Sequence, residues 1–484
     1  MSMYTLPVEQ ELFNMQLKAS RPMSELQFFA AELSEWEFSD TRREMIDGER
    51  YYNGDHDIMH RKRMAIGKDG NLQEVKNLPN NKIVDNLYSI HADKKTNYIV
   101  GKPIAYQAKN DKYIENIENV LNARFSRTLK NSVLGSLLSG IDWLFPYFND
   151  GKLIFKRFPG YEILPFWKDT EHTELDCALR MYAVEMYEGS TKKIIKKVDI
   201  FKLDGVQTCV YDGGTLRPEN DIVPYVTMKR DANEQALNWA KIPLIAIKSN
   251  AKEIPLLRRC RGIQDAINLL ESDFTNNMQE NDGTTILKIK NYDGQDLGEF
   301  RQNLATYRAV KVRSFDGNDG DVDTLNIEVN SENYKTVLDL LKRSLIENVR
   351  SYDAKDERMS GNPNQMNIQS MYSDIDLDAN GMETELQAAF EEILWFVNVY
   401  LQNANKAEAD EKVKVIFNRD ILINESEAID NCSKSTGIIS DETIIANHPW
   451  VDNPNEEMAR FDKQRQQENE NRDPYNSVFG GEKQ

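Results

Sequence analysis

The chain has 484 residues, with 60 Lys plus Arg against 79 Asp plus Glu, for a formal net charge of −19. That length predicts two to four structural units, and the acidic balance disfavours a protein whose main task is to grip nucleic acid, because affinity for phosphate comes chiefly from Lys and Arg. Four cysteines, at 177, 209, 260 and 432, are too few and too scattered for a disulfide framework or a Cys-ligated zinc site. Glu9 and Glu11 stand where a signal peptide needs an apolar core. No run approaches the ~18–20 apolar residues of a membrane span. The expectation is a soluble product made in a reducing, cytoplasmic compartment.

From Met23 to about Arg127 the pattern is helical, with a loop in the middle. Arg42 to Tyr52 ends at the turn signal Asn53-Gly54, and Lys68–Asn71 and Pro79–Asn81 mark further loops. Ile83 to Val100 has helical spacing until Gly101-Lys102-Pro103 stops it, and Thr128 to Leu138 predicts another helix. From Ile141 to Ile247 the texture is β. Leu153–Phe158, Ala178–Tyr187, Lys193–Leu203, Val206–Tyr211 and Ile222–Lys229 read as strands of an antiparallel meander. Asn149-Asp150-Gly151, Asp204-Gly205 and Asp212-Gly213-Gly214 supply its hairpin turns.

The helical period returns at Leu256 to Asn281, ~39 Å of helix. A small insert at 284–330 reads as strand (Thr285–Ile289), helix (Leu297–Tyr307) and two strands (Ala309–Val312, Thr324–Val329). A second long helix runs from Ser331 to Arg350. The pair reads as a stalk with a tip. Ser351 to Gln365 is a polar exposed loop with Gly361-Asn362-Pro363-Asn364. Met366 to about Gln402 is helical with a break expected at Asn380-Gly381, followed by a strand, Val413–Phe417, an acidic helical region, and a disordered tail from 464. The fold class is α+β.

Three clusters carry candidate chemistry. His56 and His60, with Asp57, would share a helical face at i, i+4 and define a metal-dependent phosphohydrolase as an alternative reading; a polar helix-to-loop transition is the simpler one. Asp319, Asp321 and Asp323 resemble the start of a calcium loop, but Thr324 and Asn330 stand where Gly and Glu are needed, which favours an acidic hairpin. Arg258, Arg259 and Arg261 open the first long helix, where cations oppose the helix dipole, so acids elsewhere in the fold or an anionic partner must compensate them. No nucleotide-binding loop, nucleophile elbow or dinucleotide fingerprint is present in the sequence. Nothing in the sequence points to an enzyme or to a cofactor.

Arg50–Ile58, Asn81–Asn86, Tyr98–Ile104, Glu271–Asn276, Gly437–Thr443 and Pro449–Asp452, in that order, resemble the portal proteins of tailed bacteriophages typified by phage SPP1. The resemblance implies a twelve-subunit ring at one capsid vertex, with each subunit built of wing, stem, clip and crown. The expected division is an N-terminal segment 1–22, wing 23–250, stem helices 251–281 and 331–350 around a clip at 282–330, tunnel loop 351–365, a long wing helix and strand at 366–423, crown 424–463 and tail 464–484. It implies double-stranded DNA passing through the ring without sequence specificity. The implied partners are a terminase, a head-completion or adaptor protein, and scaffolding and major capsid proteins; no membrane is involved. The implied location is the virion, with the host cytoplasm during assembly. The loop residues expected to face DNA are Asp353, Lys355, Asp356, Glu357, Arg358, Gly361 and Asn362, with Lys355 and Arg358 touching phosphate. The clip acids Asp316, Asp319, Asp321, Asp323 and Glu328 are expected to meet basic partner surfaces. A third reading is a scaffold-type oligomer without a channel.

Overall fold

The computed structural model describes residues 23–66, 71–76, 78–230, 233–281, 286–290, 321–325, 331–353, 364–404, 406, 412–419, 424–451 and 457–465. Expectations for the helix Leu297–Tyr307, the strand Ala309–Val312 and the tail beyond 465 lie outside them. Helix starts follow the capping chemistry of short polar residues. Ser24 and Gln27 form a reciprocal capping box ahead of α1 (Glu25–Glu37), and Ser39 caps α2 (Asp40–Tyr52). Asn86, Asn110 and Asn122 cap α3 (Leu87–Val100), α4 (Asp111–Val120) and α5 (Ala123–Ser139).

The region before residue 127 is less uniformly helical than its pattern implies. Strands β1 (Met64–Ile66) and β2 (Leu72–Glu74) form a hairpin within it, and β3 (Ala105–Gln107) follows α3. Helix α3 begins at Leu87 rather than Ile83, because the amides of Asn81, Ile83 and Asp85 bond to side chains of another helix. Helix α5 starts five residues before Thr128, at the Asn122 cap.

The β region divides into separate antiparallel sheets. Strands β4 (Ile141–Asn149) and β5 (Lys152–Phe158) are joined by Asp150 and Gly151, with φ of 50° and 73°, the left-handed pair that a two-residue hairpin turn needs. β13 (Ile245–Lys248) pairs with β4. The meander is a five-stranded sheet in the order β10-β9-β8-β7-β6, built of β6 (Ile163–Trp167), β7 (Leu175–Glu188), β8 (Thr191–Lys202), β9 (Gly205–Asp212) and β10 (Thr215–Pro218). Helix α1 lays Phe28, Phe29, Leu33 and Trp36 on its inner face, against Leu179, Val198, Ile200 and Cys209. The last expected strand begins at Val226, not Ile222, as β11 (Val226–Arg230), paired with β12 (Asn233–Leu237).

Helix α6 (Leu257–Asn281) runs beside α7 (Ser331–Asn348). Between them the paired strands β14 (Ile286–Lys290) and β15 (Asp321–Leu325) are described; β15 lies three residues earlier than the expected Thr324–Val329. Helix α8 (Gln365–Asn403) is 39 residues long and unbroken at Gly381. Glycine costs only about 1 kcal/mol in a helix, and buried Ala379, Met382, Leu386 and Phe390 hold that face to the largest core. The strand near 415, β16 (Lys414–Ile416), pairs with β3, about three hundred residues earlier. Helices α9 (Glu425–Lys434) and α10 (Asp441–Ala446) and a helical stretch at 457–465 follow. Among the described residues no helix is long and apolar enough to cross a membrane.

Candidate functional site

On α6, Gln264, Asn268, Ser272 and Asn276 recur every fourth residue and are all buried. Their side-chain oxygens accept main-chain N–H bonds from Tyr88 (3.0 Å), Asp85 (3.1 Å), Ile83 (2.9 Å) and Asn81 (2.7 Å). The match is geometric. Four helical residues rise ~6 Å and two extended residues span ~6.6 Å, so Asn268, Ser272 and Asn276 keep register with the alternate amides of Asp85, Ile83 and Asn81 in an antiparallel extended chain, while Gln264 meets Tyr88 in the first turn of α3. The segment 81–86 is a strap fixed to α6 rung by rung.

His56 belongs to this ladder. Asn268 Oδ1 accepts from Asp85, so Asn268 Nδ2 donates to His56 Nδ1 at 2.7 Å, and His56 Nε2 donates to the Tyr51 carbonyl at 2.9 Å. The ring stacks on Tyr51, and burial lowers its pKa, which keeps the imidazole neutral. His60 lies in a 3-10 turn (Asp57–His60), exposed and bonded to Asp55 at 2.8 Å. The two histidines therefore do not share a helix face, and both nitrogens of His56 are occupied. Burial opposes ionisation of Asp57, but hydrogen bonds from Arg50 and Arg261 outweigh it and lower its pKa to about 2. Among the described residues no group of three His, Cys, Asp or Glu is placed to hold a metal. The phosphohydrolase reading has no support in this geometry.

The basic start of α6 is compensated within the chain. Arg258 faces Glu44 (3.7 Å), Arg259 faces Asp378 (3.1 Å), and Arg261 bridges Asp47 (2.7 Å) and Asp57 (2.9 Å).

The third feature is the root of the loop after α7. Arg350 has φ of +50°, a conformation non-glycine residues adopt only under constraint. The conformation closes the C-terminus of α7: Arg350 N donates to the Glu347 carbonyl and Ser351 N to the Ile346 carbonyl, each at 3.1 Å. Lys95, whose side chain is 1% exposed, ties this cap down, its Nζ donating to the Arg350 carbonyl (3.0 Å) and to Asp378 (2.7 Å). Burial would raise the Asp378 pKa, but Lys95 and Arg259 outweigh it and hold the carboxyl below its ordinary range. His91 Nδ1 lies 2.9 Å from Ser351 Oγ, and Lys94 Nζ donates to the Tyr352 carbonyl at 3.0 Å. Tyr352 packs on Tyr372 of α8, with ring centroids 4.6 Å apart. At the far end Asn364 caps α8, Gln365 N donates to Glu427, and Asn424 N donates back to Gln365. Both ends of the loop are tied to helices. Asp353 is exposed; Lys355, Asp356, Glu357, Arg358, Gly361 and Asn362 lie outside the described residues.

In the β14–β15 hairpin, register sets Lys288 opposite Asp323 and Lys290 opposite Asp321. Asp316, Asp319 and Glu328 lie outside the described residues.

Sequence reasoning missed the ladder and the Lys95–Asp378 pair. The i, i+4 run of Gln264, Asn268, Ser272 and Asn276 was a visible signal, since four amide or hydroxyl residues on one stripe of an amphipathic helix need partners. Nothing near Lys95 in sequence announced Asp378.

The model of the family described as "Phage portal protein, SPP1 Gp6-like" matches residues 36–471. The portal protein of Bacillus phage SPP1 is 26% identical over 437 residues, covering 87% of this chain and 84% of that protein. The portal protein of Clostridium phage phiCD119 is 24% identical over 458 residues, covering 90% of this chain and 96% of that protein. Among solved structures, the neck of an empty gene transfer agent particle matches with a TM-score of 0.42 and 13% identity, covering 73% of this chain and 87% of that one. With the family match spanning the strap, α6, α7, the loop root and α8, the chain belongs to the SPP1-type phage portal protein family.

Proposed function

We propose that twelve copies of this chain form a closed ring at one capsid vertex, that double-stranded DNA passes through its centre during packaging and ejection, and that the chain acts without catalysis. The observation that carries the reading is the α6–α7 pair within a portal-family chain. In chain order 282–330 joins the end of α6 to the start of α7, and 351–364 joins the end of α7 to the start of α8. In this reading α6 and α7 are the stem, 282–330 the clip, 23–250 with 366–423 the wing, 351–365 the tunnel loop and 424–463 the crown. The clip receives a terminase and later a head-completion or adaptor protein, and scaffolding and major capsid proteins surround the wing. The ring is built in the host cytoplasm and ends in the virion.

The charge supports passage rather than capture. Each phosphate contact adds affinity that would slow sliding, and each copy carries a net −19. Loop segment 351–365 holds Lys355 and Arg358 among Asp353, Asp356 and Glu357, a wall with few cationic spots. The root at Lys95, Asp378 and Ser351 fixes one end of this loop, and the bonds of Gln365 with Glu427 and Asn424 fix the other, which suits a part that must resist a moving strand. Replacing Lys355 and Arg358 with Glu is expected to leave ring assembly intact and to impair packaging or retention of DNA. Normal packaging by such rings would remove these two contacts from the account.

A further inference from the structure

We propose that the free edge of β5 takes up an extended acidic segment of a partner protein, which adds to the sheet as a further strand. The inference goes beyond the ring reading and does not depend on it. In the sheet β13-β4-β5 the outer strand β5 pairs with β4 along its whole length, Lys152 to Phe158. Among the described residues no other hydrogen bond reaches its backbone. Alternate N–H and C=O groups on its other side are therefore unpaired within the chain, which is the template that strand addition uses. Two adjoining hollows, of about 470 and 360 Å³, run beside the strand and share Arg124 and Phe155. Successive side chains of a strand point to opposite faces. Phe155 and Lys156 both line the second hollow, so it opens around the edge of β5 rather than over one face.

Charge selects the occupant. Arg124, Lys152 and Lys406 line the first hollow, and Arg124 and Lys156 line the second. All four residues are exposed, and among the described residues none of their side chains has an ion pair or a hydrogen bond; Lys156 only overlies the Phe158 ring. Arg157 also lines the second hollow but is satisfied by Asp142 and Glu49, so it is not counted. The acids nearest in sequence are Asp150 in the β4–β5 turn and Glu115 and Glu118 on α4, and none of them lines either hollow. The start of α5, which lines both, adds the positive end of a helix dipole. Lysines on an edge strand can serve merely to repel a like strand. That role does not account for Arg124 and Lys406, which two other elements bring to the same place on a chain of net −19. A nucleic acid would use the cations and leave the open edge unpaired, whereas an acidic polypeptide uses both.

The test uses the full chain and a fluorescent synthetic peptide of alternating Glu and Val. Binding is read by anisotropy at low salt, with hydrogen exchange of the β5 amides followed in parallel. The peptide is expected to bind and to slow exchange across 152–158. Arg124→Glu with Lys156→Glu is expected to weaken binding by about tenfold or more, while Lys434→Glu on α9, which lines neither hollow, leaves it unchanged. The same peptide N-methylated throughout keeps its charge, loses its main-chain donors, and is expected not to bind. No binding of the unmodified peptide, equal binding by the double variant, or equal binding of the N-methylated peptide overturns the assignment. A DNA duplex that displaces the peptide without slowing exchange at β5 overturns it in favour of nucleic acid. Binding that appears only once Glu408, Asp410 and Glu411 are neutralised overturns it in favour of the chain's own acids.

Discussion

At the residue scale, His91 carries the clearest pH signature. Burial, with Lys94 and Lys95 nearby, pushes its pKa down to about 4. A histidine with a depressed folded-state pKa binds fewer protons folded than unfolded, so stability is full above the unfolded pKa of ~6.5 and falls as pH drops from there toward 4. The shift corresponds to a loss on the order of 3 kcal/mol. Melting curves of the wild type and His91→Gln at pH 7, 5.5 and 4.5 should converge at the acid end, because the variant lacks this titration. A constant gap across that range would contradict the assignment. His56 shows why residue roles were only partly legible. Its neighbours in sequence look like a metal pair, but its partner Asn268 lies 212 positions away, a distance that spacing arguments do not reach. The helix caps, which the sequence reading did not name, are of the opposite kind. Ser24, Ser39, Asn86, Asn110 and Asn122 act through amides two or three residues on, so local sequence carries the whole interaction.

At the element scale, the strap-and-helix ladder stabilises the junction of the strap with α6, as its rungs satisfy one buried and three part-buried amides; a fully buried amide left without a partner costs about 1–3 kcal/mol. Asn268 serves three partners: the Asp85 amide, Gln264 Nε2 and His56 Nδ1. Asn268→Ala is expected to cost on the order of 3 kcal/mol, and Ser272→Ala, which loses one bond, roughly 1–2 kcal/mol. Chemical denaturation of the two variants measures both; equal, negligible costs would mean that solvent replaces the rungs. The long helices and the meander were legible because α6, α7 and β7–β9 follow single periodicities over many residues. The β3–β16 pair was not, since three-residue strands three hundred positions apart leave no local pattern. The expected break in α8 failed for a related reason. Gly381 is a local breaker, but the buried stripe on both sides of it decides.

At the scale of the whole molecule, the candidate clip and tunnel loop were legible as places in the chain order, between α6 and α7 and between α7 and α8, while their side chains lie largely outside the described residues. Backbone register sets Asp321 and Asp323 across from Lys290 and Lys288. Neutralising Asp316, Asp319, Asp321, Asp323 and Glu328 together is expected to weaken terminase binding at low salt and flatten its salt dependence. Unchanged binding at low and high salt would assign the contact elsewhere.

The central claim is a ring with a passage, and mass measurement combined with low-resolution imaging of the purified full chain tests it most directly. Twelve copies of the 55.9 kDa chain predict particles of ~670 kDa with a central opening that admits a DNA duplex. Small oligomers, or large particles without an opening, would contradict it.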